Sequence, residues 1–248
     1  MFGLKFNNLN MPESINAIDK IIQENRKNMA ASVLVTPNVD HIVNINKDSE
    51  FKEIYQRATL TLVDGAPVFF ASRLLKKPLK AKVSGADLVP KIFELANRKN
   101  YTVFIFGSRD GIPQMAIDKV NQMPNYSVDI DYYSPPFGFE SDAKEVEKGI
   151  NKIKEFSPDI LLVSLGSPKG ERFIFENYKR LNVPISLQIG AAIDFLAGTV
   201  KRAPVWMQRV GLEWFYRFSQ EPKRMYKRYF INDPYFLVIL LKEYFKKE

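Results

Sequence analysis

Apolar residues in this chain fall into short unbroken runs, separated by longer stretches in which they recur every three or four positions. The runs are Val33-Leu34-Val35-Thr36, Leu60-Thr61-Leu62-Val63, Thr102-Val103-Phe104-Ile105-Phe106, Ser127-Val128-Asp129-Ile130-Asp131, Ile160-Leu161-Leu162-Val163-Ser164 and Ile185-Ser186-Leu187-Gln188-Ile189. Most are apolar throughout rather than alternating. This predicts strands buried on both faces, and so a mainly parallel sheet. Between them, Leu88, Ile92 and Leu95 recur at helical spacing, as do Val146, Ile150 and Ile153,. Asn10 with Pro12 is expected to open the first helix near Ile15, and Ser141 to cap the helix containing Val146. The alternation predicts βαβ units in a Rossmann-like α/β fold with helices on both faces of the sheet.

The pattern changes between Thr199 and Pro204. Strand-like runs stop there, and the rest of the chain is helical in pattern, punctuated by Pro204, Pro222 and Pro234, each expected to start or break a helix,. Residues 1–198 therefore read as an α/β domain and 199–248 as a helical appendage. The appendage also differs in charge. It holds eleven Lys and Arg against five Asp and Glu, so it supplies most of the formal net charge of +8. Trp206, Trp214, Phe215, Tyr216, Phe218, Tyr226, Tyr229, Phe230, Tyr235, Phe236, Tyr244 and Phe245 are threaded through it. Cations interleaved with aromatics suit a surface of anionic headgroups and acyl chains.

With 248 residues, 46% hydrophobic and 26% charged, the chain has the composition of an ordinary globular protein,. It has no cysteine, which excludes disulfides and thiolate metal sites and fits a reducing cytoplasm,. The first twenty residues lack the apolar core of a signal peptide. The late apolar run Tyr235–Leu241 is far shorter than the roughly 20 residues that span a bilayer. Membrane contact is therefore expected to be peripheral.

Ligands of open parallel sheets bind beyond the carboxyl ends of the strands. There the chain places Thr36 to His41, Asp64 to Pro67, Gly107 to Gly111, Gly166 to Glu171 and Gly190 to Asp194. Glycine and small polar residues run straight into helices, whose first N–H groups suit phosphate. Together the turns favour a nucleotide-type ligand, although none is a dinucleotide fingerprint or a P-loop. Asp64 has two readings, a general base at the cleft floor or an N-cap for the helix near Pro67. His41 is the only histidine, so a His-based metal site or a catalytic triad has little support; a helix-face or supporting role suits it,. Asp129 and Asp131 spell a DxD triplet inside a strand, where edge polarity accounts for it better than metal binding. Arg217, Arg224 and Arg228 fall at i, i+7 and i+11, close to one helical face but for the interruption at Pro222. They read either as phosphate-chelating forks or as a solvated basic face.

In combination these segments resemble the WecG/TagA/CpsF glycosyltransferases, over nearly the whole chain. The segments that carry the resemblance are Thr36–His41, Val63–Val68, Val83–Leu88, Phe106–Ser108, Gly166–Lys169, Ala192–Gly198, and Arg202–Pro204 leading to Gly211–Arg217. Their order and spacing as a set are specific. Glu221–Arg224 and Lys227–Tyr229 look like the family's C-terminal appendage.

The resemblance implies transfer of a sugar from a UDP donor to a polyprenyl-diphosphate-linked GlcNAc at the cytoplasmic membrane face. In the TagA-like branch the donor is UDP-N-acetylmannosamine, and the product is the linkage unit of wall teichoic acid. The reaction it implies is inverting, with no metal and no cofactor. Asp64 matches the general base, and Thr36 and Asn38 the polar pair of the active site. Lys82, Gly107, Ser108, Lys169, Asp194 and Glu213 match substrate-binding positions. Arg217, Arg224 and Arg228 are expected to stabilise the leaving group or grip the lipid diphosphate. Two departures bear on the donor sugar. Lys82 stands where the family commonly has Arg, which keeps the charge but loses the bidentate fork. Gly170 stands where it commonly has Gln, which removes an amide able to read sugar hydroxyls.

Two alternatives remain open on sequence grounds. One is a relative using another UDP-sugar. The other is a non-catalytic nucleotide- or RNA-binding module, which a pI near 9.4 would suit,. Against RNA, the charge is confined to the tail and no RNA-binding motif is present, so no nucleic-acid partner is expected. The aromatic tail could also form a homo-oligomer interface.

Overall fold

The computed structural model describes residues 1–246; Lys247 and Glu248, which contribute to the charge of the tail, lie outside the described residues. Six strands form one sheet: β1 Ser32–Val35, β2 Leu60–Thr61, β3 Val103–Gly107, β4 Ile130–Tyr133, β5 Ile160–Ser164 and β6 Ile185–Gln188. Their order is β2-β1-β6-β5-β3-β4, and every pairing is parallel. All six carboxyl ends consequently lie along one edge of the sheet, where the turn segments collect.

Burial on both faces follows from the strand period of two. Leu34, Val103, Ile105, Leu162 and Leu187 join one core cluster, whereas Val33, Val35, Phe104, Phe106 and Val163 join the other. The first face is covered by α1 (Met11–Asn28), α5 (Gly85–Lys99), α6 (Ile112–Asn121) and α9 (Ala192–Ala197). The second is covered by α2 (Val39–Lys47), α3 (Ser49–Gln56), α4 (Ala66–Leu74), α7 (Ala143–Phe156) and α8 (Lys169–Leu181). Leu88, Ile92, Leu95, Ile150 and Ile153 are fully buried, as their spacing requires.

Caps place most helix starts where the sequence does. Asn10 accepts from Glu13 N–H while the Glu13 carboxylate accepts from Asn10 N–H, a reciprocal cap at α1,. Ser141 is a correction. It ends a 3-10 turn over Phe139–Ser141, and α7 is capped by Asp142, which accepts from Lys144 N–H at 2.9 Å. The carboxylate one residue later reaches the free N–H groups and also complements the positive end of the helix. Strand β4 begins three residues later than its run suggests, because pairing with β3 starts at Val103 opposite Ile130. It is an edge strand, with Asp131 exposed upon it.

Beyond Gly198 the described residues are helical: α10 Val205–Arg209, α11 Glu213–Gln220, α12 Pro222–Tyr226, a π-helical stretch over Lys227–Asn232 and α13 Tyr235–Phe245. Pro204 and Pro234 immediately precede helices and Pro222 begins one. Phe236 and Ile239 of α13 are buried in the second core cluster. The outer surface of the tail stays apolar, with Trp206, Phe215, Tyr226, Phe230, Leu237, Leu241 and Phe245 exposed.

Candidate active site

Backbone bonds past the strand ends bring three segments side by side. Asp64 N–H donates to Pro37 O at 3.1 Å, and Val83 N–H donates to Val63 O at 2.9 Å. Asp64 therefore sits between the Thr36–Asn38 loop and Lys82. Thr36 is buried at the base of that loop. Helix α4 takes Gly65 as its cap residue, at φ 85° and with no side-chain bond, so Asp64 does not serve as an N-cap. The positive φ is one that glycine adopts without strain. Among the described residues no protein donor bonds the Asp64 carboxylate. Burial pushes its pKa up, and the nearby charge of Glu213 pushes it further; Lys82, His41 and Arg217 pull the other way. A carboxylate in that condition is a stronger base than a solvated one.

The second group ties the tail to the sheet. Lys82 Nζ lies 3.5 Å from Glu213 Oε2, and Glu213 Oε1 lies 3.4 Å from Arg202 Nε. Arg202 also donates to Asp87 Oδ1 at 2.6 Å, and Ser84 Oγ donates to Asp87 Oδ2 at 2.6 Å. Burial alone would raise the Asp87 pKa, but the Arg202 and Ser84 hydrogen bonds outweigh it and hold the carboxyl below its usual range. Ser84 caps α5, which fixes the segment next to Lys82.

The third group surrounds Asn38, the cap of α2. Its Oδ1 accepts from His41 N–H at 3.4 Å and from Arg228 at 3.2 Å, and it lies 2.7 Å from His41 Nδ1. The other ring nitrogen of His41 lies 3.2 Å from Glu171 Oε1. Glu171 is fully buried in the first turn of α8 and also accepts from Tyr55 OH at 2.8 Å and Gln188 Nε2 at 3.2 Å. Burial would raise its pKa, yet the bond and charge of His41, its helix position and Tyr55 bring it below the ordinary value. His41 thus takes the supporting position expected of it. Glu171, Tyr55 and Gln188 escape sequence reading. Glu171 lay in the strand-end segment without a role, and Tyr55 carries no local signal at all.

The remaining predicted residues spread along the same edge. Gly107, at φ 101°, leads into Ser108, whose N–H donates to Ser164 O at 2.7 Å. A side chain at Gly107 would meet Ser164 O at 2.7 Å, so the crossing of β3 and β5 needs glycine there,. The hydroxyls of Ser108 and Ser167, after these two neighbouring strands, are buried without a protein partner. Ser167 directly precedes the uncapped N-terminus of α8, whose first N–H groups suit an anion,. Asp194 lies in the first turn of α9, 3.4 Å from Arg109. Lys169 turns outward to Glu140 and the Phe137 ring.

The three arginines do not share a helical face. At Glu221 the backbone leaves helical geometry, with φ −132° and ψ 60°, which separates α11 from α12. Arg217 stacks on Phe195, with 5.5 Å from guanidinium carbon to ring centroid, and is close enough to act on Asp64. Arg228 reaches Asn38, while Arg224 pairs with Glu221 at 2.8 Å. Among the described residues, no three His, Cys, Asp or Glu side chains gather as a metal-ligand set, and no helix is long and apolar enough to cross a membrane.

Comparison with known proteins gives the family. The profile of the Glycosyl transferase WecG/TagA/CpsF family matches residues 1–248. An N-acetylglucosaminyldiphosphoundecaprenol N-acetyl-beta-D-mannosaminyltransferase of Bacillus subtilis (strain 168) is 33% identical, over 87% of this chain and 82% of its own. Proteins of the same name from Bacillus spizizenii and Staphylococcus aureus (strain MW2) are 30% and 25% identical, over 84% and 91% of this chain and 78% and 85% of their own. A whole-length family match, together with a relative above 30% identity, places the chain in the WecG/TagA/CpsF glycosyltransferase family.

Proposed function

We propose that the protein transfers N-acetylmannosamine from UDP-N-acetylmannosamine to the 4-hydroxyl of GlcNAc on undecaprenyl diphosphate, forming the linkage unit of wall teichoic acid. The names of the relatives support the acceptor and the sugar. One observation carries the chemistry. The Asp64 carboxylate, just beyond β2, bonds no protein group among the described residues, has a raised pKa and is set among Lys82, Arg217 and Glu213.

In this reading Asp64 takes the proton of the acceptor hydroxyl as that oxygen attacks the anomeric carbon. The bond from carbon to the UDP oxygen breaks with its electron pair, and the configuration inverts without a covalent intermediate. Thr36 and Asn38 orient the sugars. Gly107, Ser108 and the start of α8 hold the diphosphate, with Asp194 and Lys169 at its margins. Positive charge from Lys82, Arg217 and Arg228 offsets what develops on the departing UDP or grips the lipid diphosphate, whereas Arg224, paired with Glu221, stands outside this group,. With that charge supplied by side chains, turnover is expected to continue in EDTA.

Residues 199–248 act in this reading as a membrane-facing appendage of the α/β domain 1–198. Exposed tryptophans, phenylalanines and leucines beside basic residues support peripheral docking on the inner face of the cell membrane,. The decisive experiment measures UDP release from a panel of UDP-sugars with a GlcNAc-diphospho-lipid, with and without EDTA, for wild type and Asp64→Asn. Undiminished turnover by Asp64→Asn would remove the base from the scheme, and preference for another UDP-sugar would reassign the donor.

A further inference from the structure

Helix α4 keeps apolar residues on its outer side. Val68, Ala71 and Ser72 are buried, whereas Pro67, Phe70, Arg73 and Leu74, which recur at helical spacing, are exposed,. Phe70 is 48% and Leu74 54% exposed. A helix that covers a sheet ordinarily turns polar residues to water. The chain around this face is also one-sided in charge. Between Asp64 and Asp87 it has Arg73, Lys76, Lys77, Lys80 and Lys82 and no carboxylate. Lys80 pairs with Glu13 and Lys82 with Glu213. Arg73, Lys76 and Lys77 are exposed and pair with no carboxylate among the described residues; the Arg73 guanidinium lies over the Phe69 ring at 4.9 Å.

The exposed apolar surface of the tail continues onto this helix. A side chain at Gly211, in the turn between α10 and α11, would lie 3.2 Å from Ala66 Cβ and 3.7 Å from the Phe70 ring. Val210 and Leu212, on either side of that glycine, are exposed. Past the other end of α4, Lys77 acts on the charge of the Met1 amino group, as does Glu243 of α13, and Leu241 and Phe245 of the same helix are exposed. The tail thus flanks α4 at both ends. Apolar side chains beside uncompensated cations fit a bilayer with anionic headgroups, where rings and aliphatic groups enter the acyl boundary and long basic stems reach the phosphates. We propose that the outer face of α4, with Phe70, Leu74, Arg73, Lys76 and Lys77, is a second membrane contact, separate from the tail, that seats on anionic lipid headgroups. Gly65 alone separates Asp64 from this helix, so lipid contact along α4 brings the cleft to the bilayer surface, where a lipid-linked acceptor lies. The proposal rests on the peripheral docking read above.

Partitioning of the full chain onto vesicles tests it. Co-sedimentation with phosphatidylcholine vesicles is compared with that on vesicles of equal parts phosphatidylglycerol and phosphatidylcholine. The triple variant Arg73→Gln/Lys76→Gln/Lys77→Gln is expected to lower partitioning onto the mixed vesicles by roughly tenfold or more at low salt, with little change on phosphatidylcholine. Leu74→Gln is expected to lower it by roughly threefold on both compositions. Phe70 is left in place, because it also touches the tail at Gly211. Both variants are expected to keep wild-type turnover of a short-chain, water-soluble acceptor, which shows that the site is intact. Their turnover of a long-chain acceptor in mixed vesicles is expected to fall in proportion to binding.

The chain has no cysteine, so a single introduced thiol gives a readout with every basic residue in place. Leu74→Cys carrying an environment-sensitive dye is expected to brighten and shift to the blue on mixed vesicles. Lys20→Cys, exposed on α1 across the sheet, is expected to show neither change. Wild-type partitioning by both variants, with an unshifted dye at position 74, would overturn the proposal and leave docking to the tail alone. A dimer in solution that Leu74→Gln separates, with vesicle binding intact, would overturn it in favour of a second copy of the chain. Peripheral docking itself fails differently: the wild-type chain would then stay in the supernatant with both vesicle compositions, and the α4 contact would fall with it.

Discussion

Gly170 is the position at which a one-carbon change should report most clearly on the site. A β-carbon built there would lie 2.5 Å from Gln188 Nε2, 2.7 Å from its Cδ and 2.8 Å from its Oε1. On helix propensity alone, Gly170→Ala in α8 should stabilise the protein by up to about 1 kcal/mol. The contact reverses that sign. The end of a glutamine side chain can move, but this one is buried and bonded to Leu165 O, Glu171 Oε2 and Gly190 N–H. Losing the bond to the ionised Glu171 costs about 1.5–3 kcal/mol and each neutral one about 1 kcal/mol. If the displaced amide recovers one of them, the bonds lost cost about 2–4 kcal/mol, and after the propensity gain the net loss is about 1–3 kcal/mol. For a chain of this size that corresponds to a fall in Tm of roughly 2–12 °C. Thermal unfolding followed by circular dichroism measures it, with the same change made in a Gln188→Ala background as the control. There the added methyl meets no amide, and its cost should fall below about 0.5 kcal/mol. A Gly170→Ala protein as stable as wild type or more so, with unchanged kcat/KM, would refute the reasoning.

Asp64→Asn is expected to lower kcat by roughly two to four orders of magnitude, as loss of a general base does, measured as UDP release under saturating substrates. Because the folded state raises the pKa of Asp64, its ionised form opposes folding, so the same variant should be more stable than wild type at neutral pH and lose that advantage in acid,. Asp233 gives a second pH effect. Burial lifts its carboxyl to about 6 from 3.8. Its contribution is fully present below about 4 and lost as pH rises through about 6, so Asp233→Asn should stabilise the protein by about 1–3 kcal/mol at pH 7 and by little at pH 4, as read from urea midpoints,. Arg228→Ala, which removes a guanidinium from Asn38, should lower kcat/KM by roughly tenfold or more, while Arg224→Ala, which breaks an exposed pair with Glu221, should change it by less than about threefold,.

The sheet was readable because its physics is local. Runs such as Ile160–Val163 are apolar on both sides, and only a two-faced parallel sheet buries them fully,. The position of Asp64 was readable for the same reason, since a polar residue directly after an apolar run marks a strand end. Ser141 misled because Asp142 is an equally good cap one step later, and the choice depends on where the preceding 3-10 turn closes. The arginines of the tail were harder. Their spacing assumes one straight helix, and the break at Glu221 sends Arg217, Arg224 and Arg228 to different neighbours. Glu171 and Gln188 could not be read at all. Glu171 owes its place to Tyr55 and His41, more than a hundred positions away, and Gln188 owes its place to Glu171, a meeting that no local pattern encodes.

The reciprocal cap at the start of α2 has a consequence for the tail. Asn38 N–H donates to His41 Nδ1 at 3.2 Å and His41 N–H donates back to Asn38 Oδ1 at 3.4 Å, so the turn closes on itself without Arg228,. Withdrawal of Arg228 would leave both of those bonds in place. The loop after β1 therefore holds its own shape, and the contact from the tail is added to a turn that is already closed.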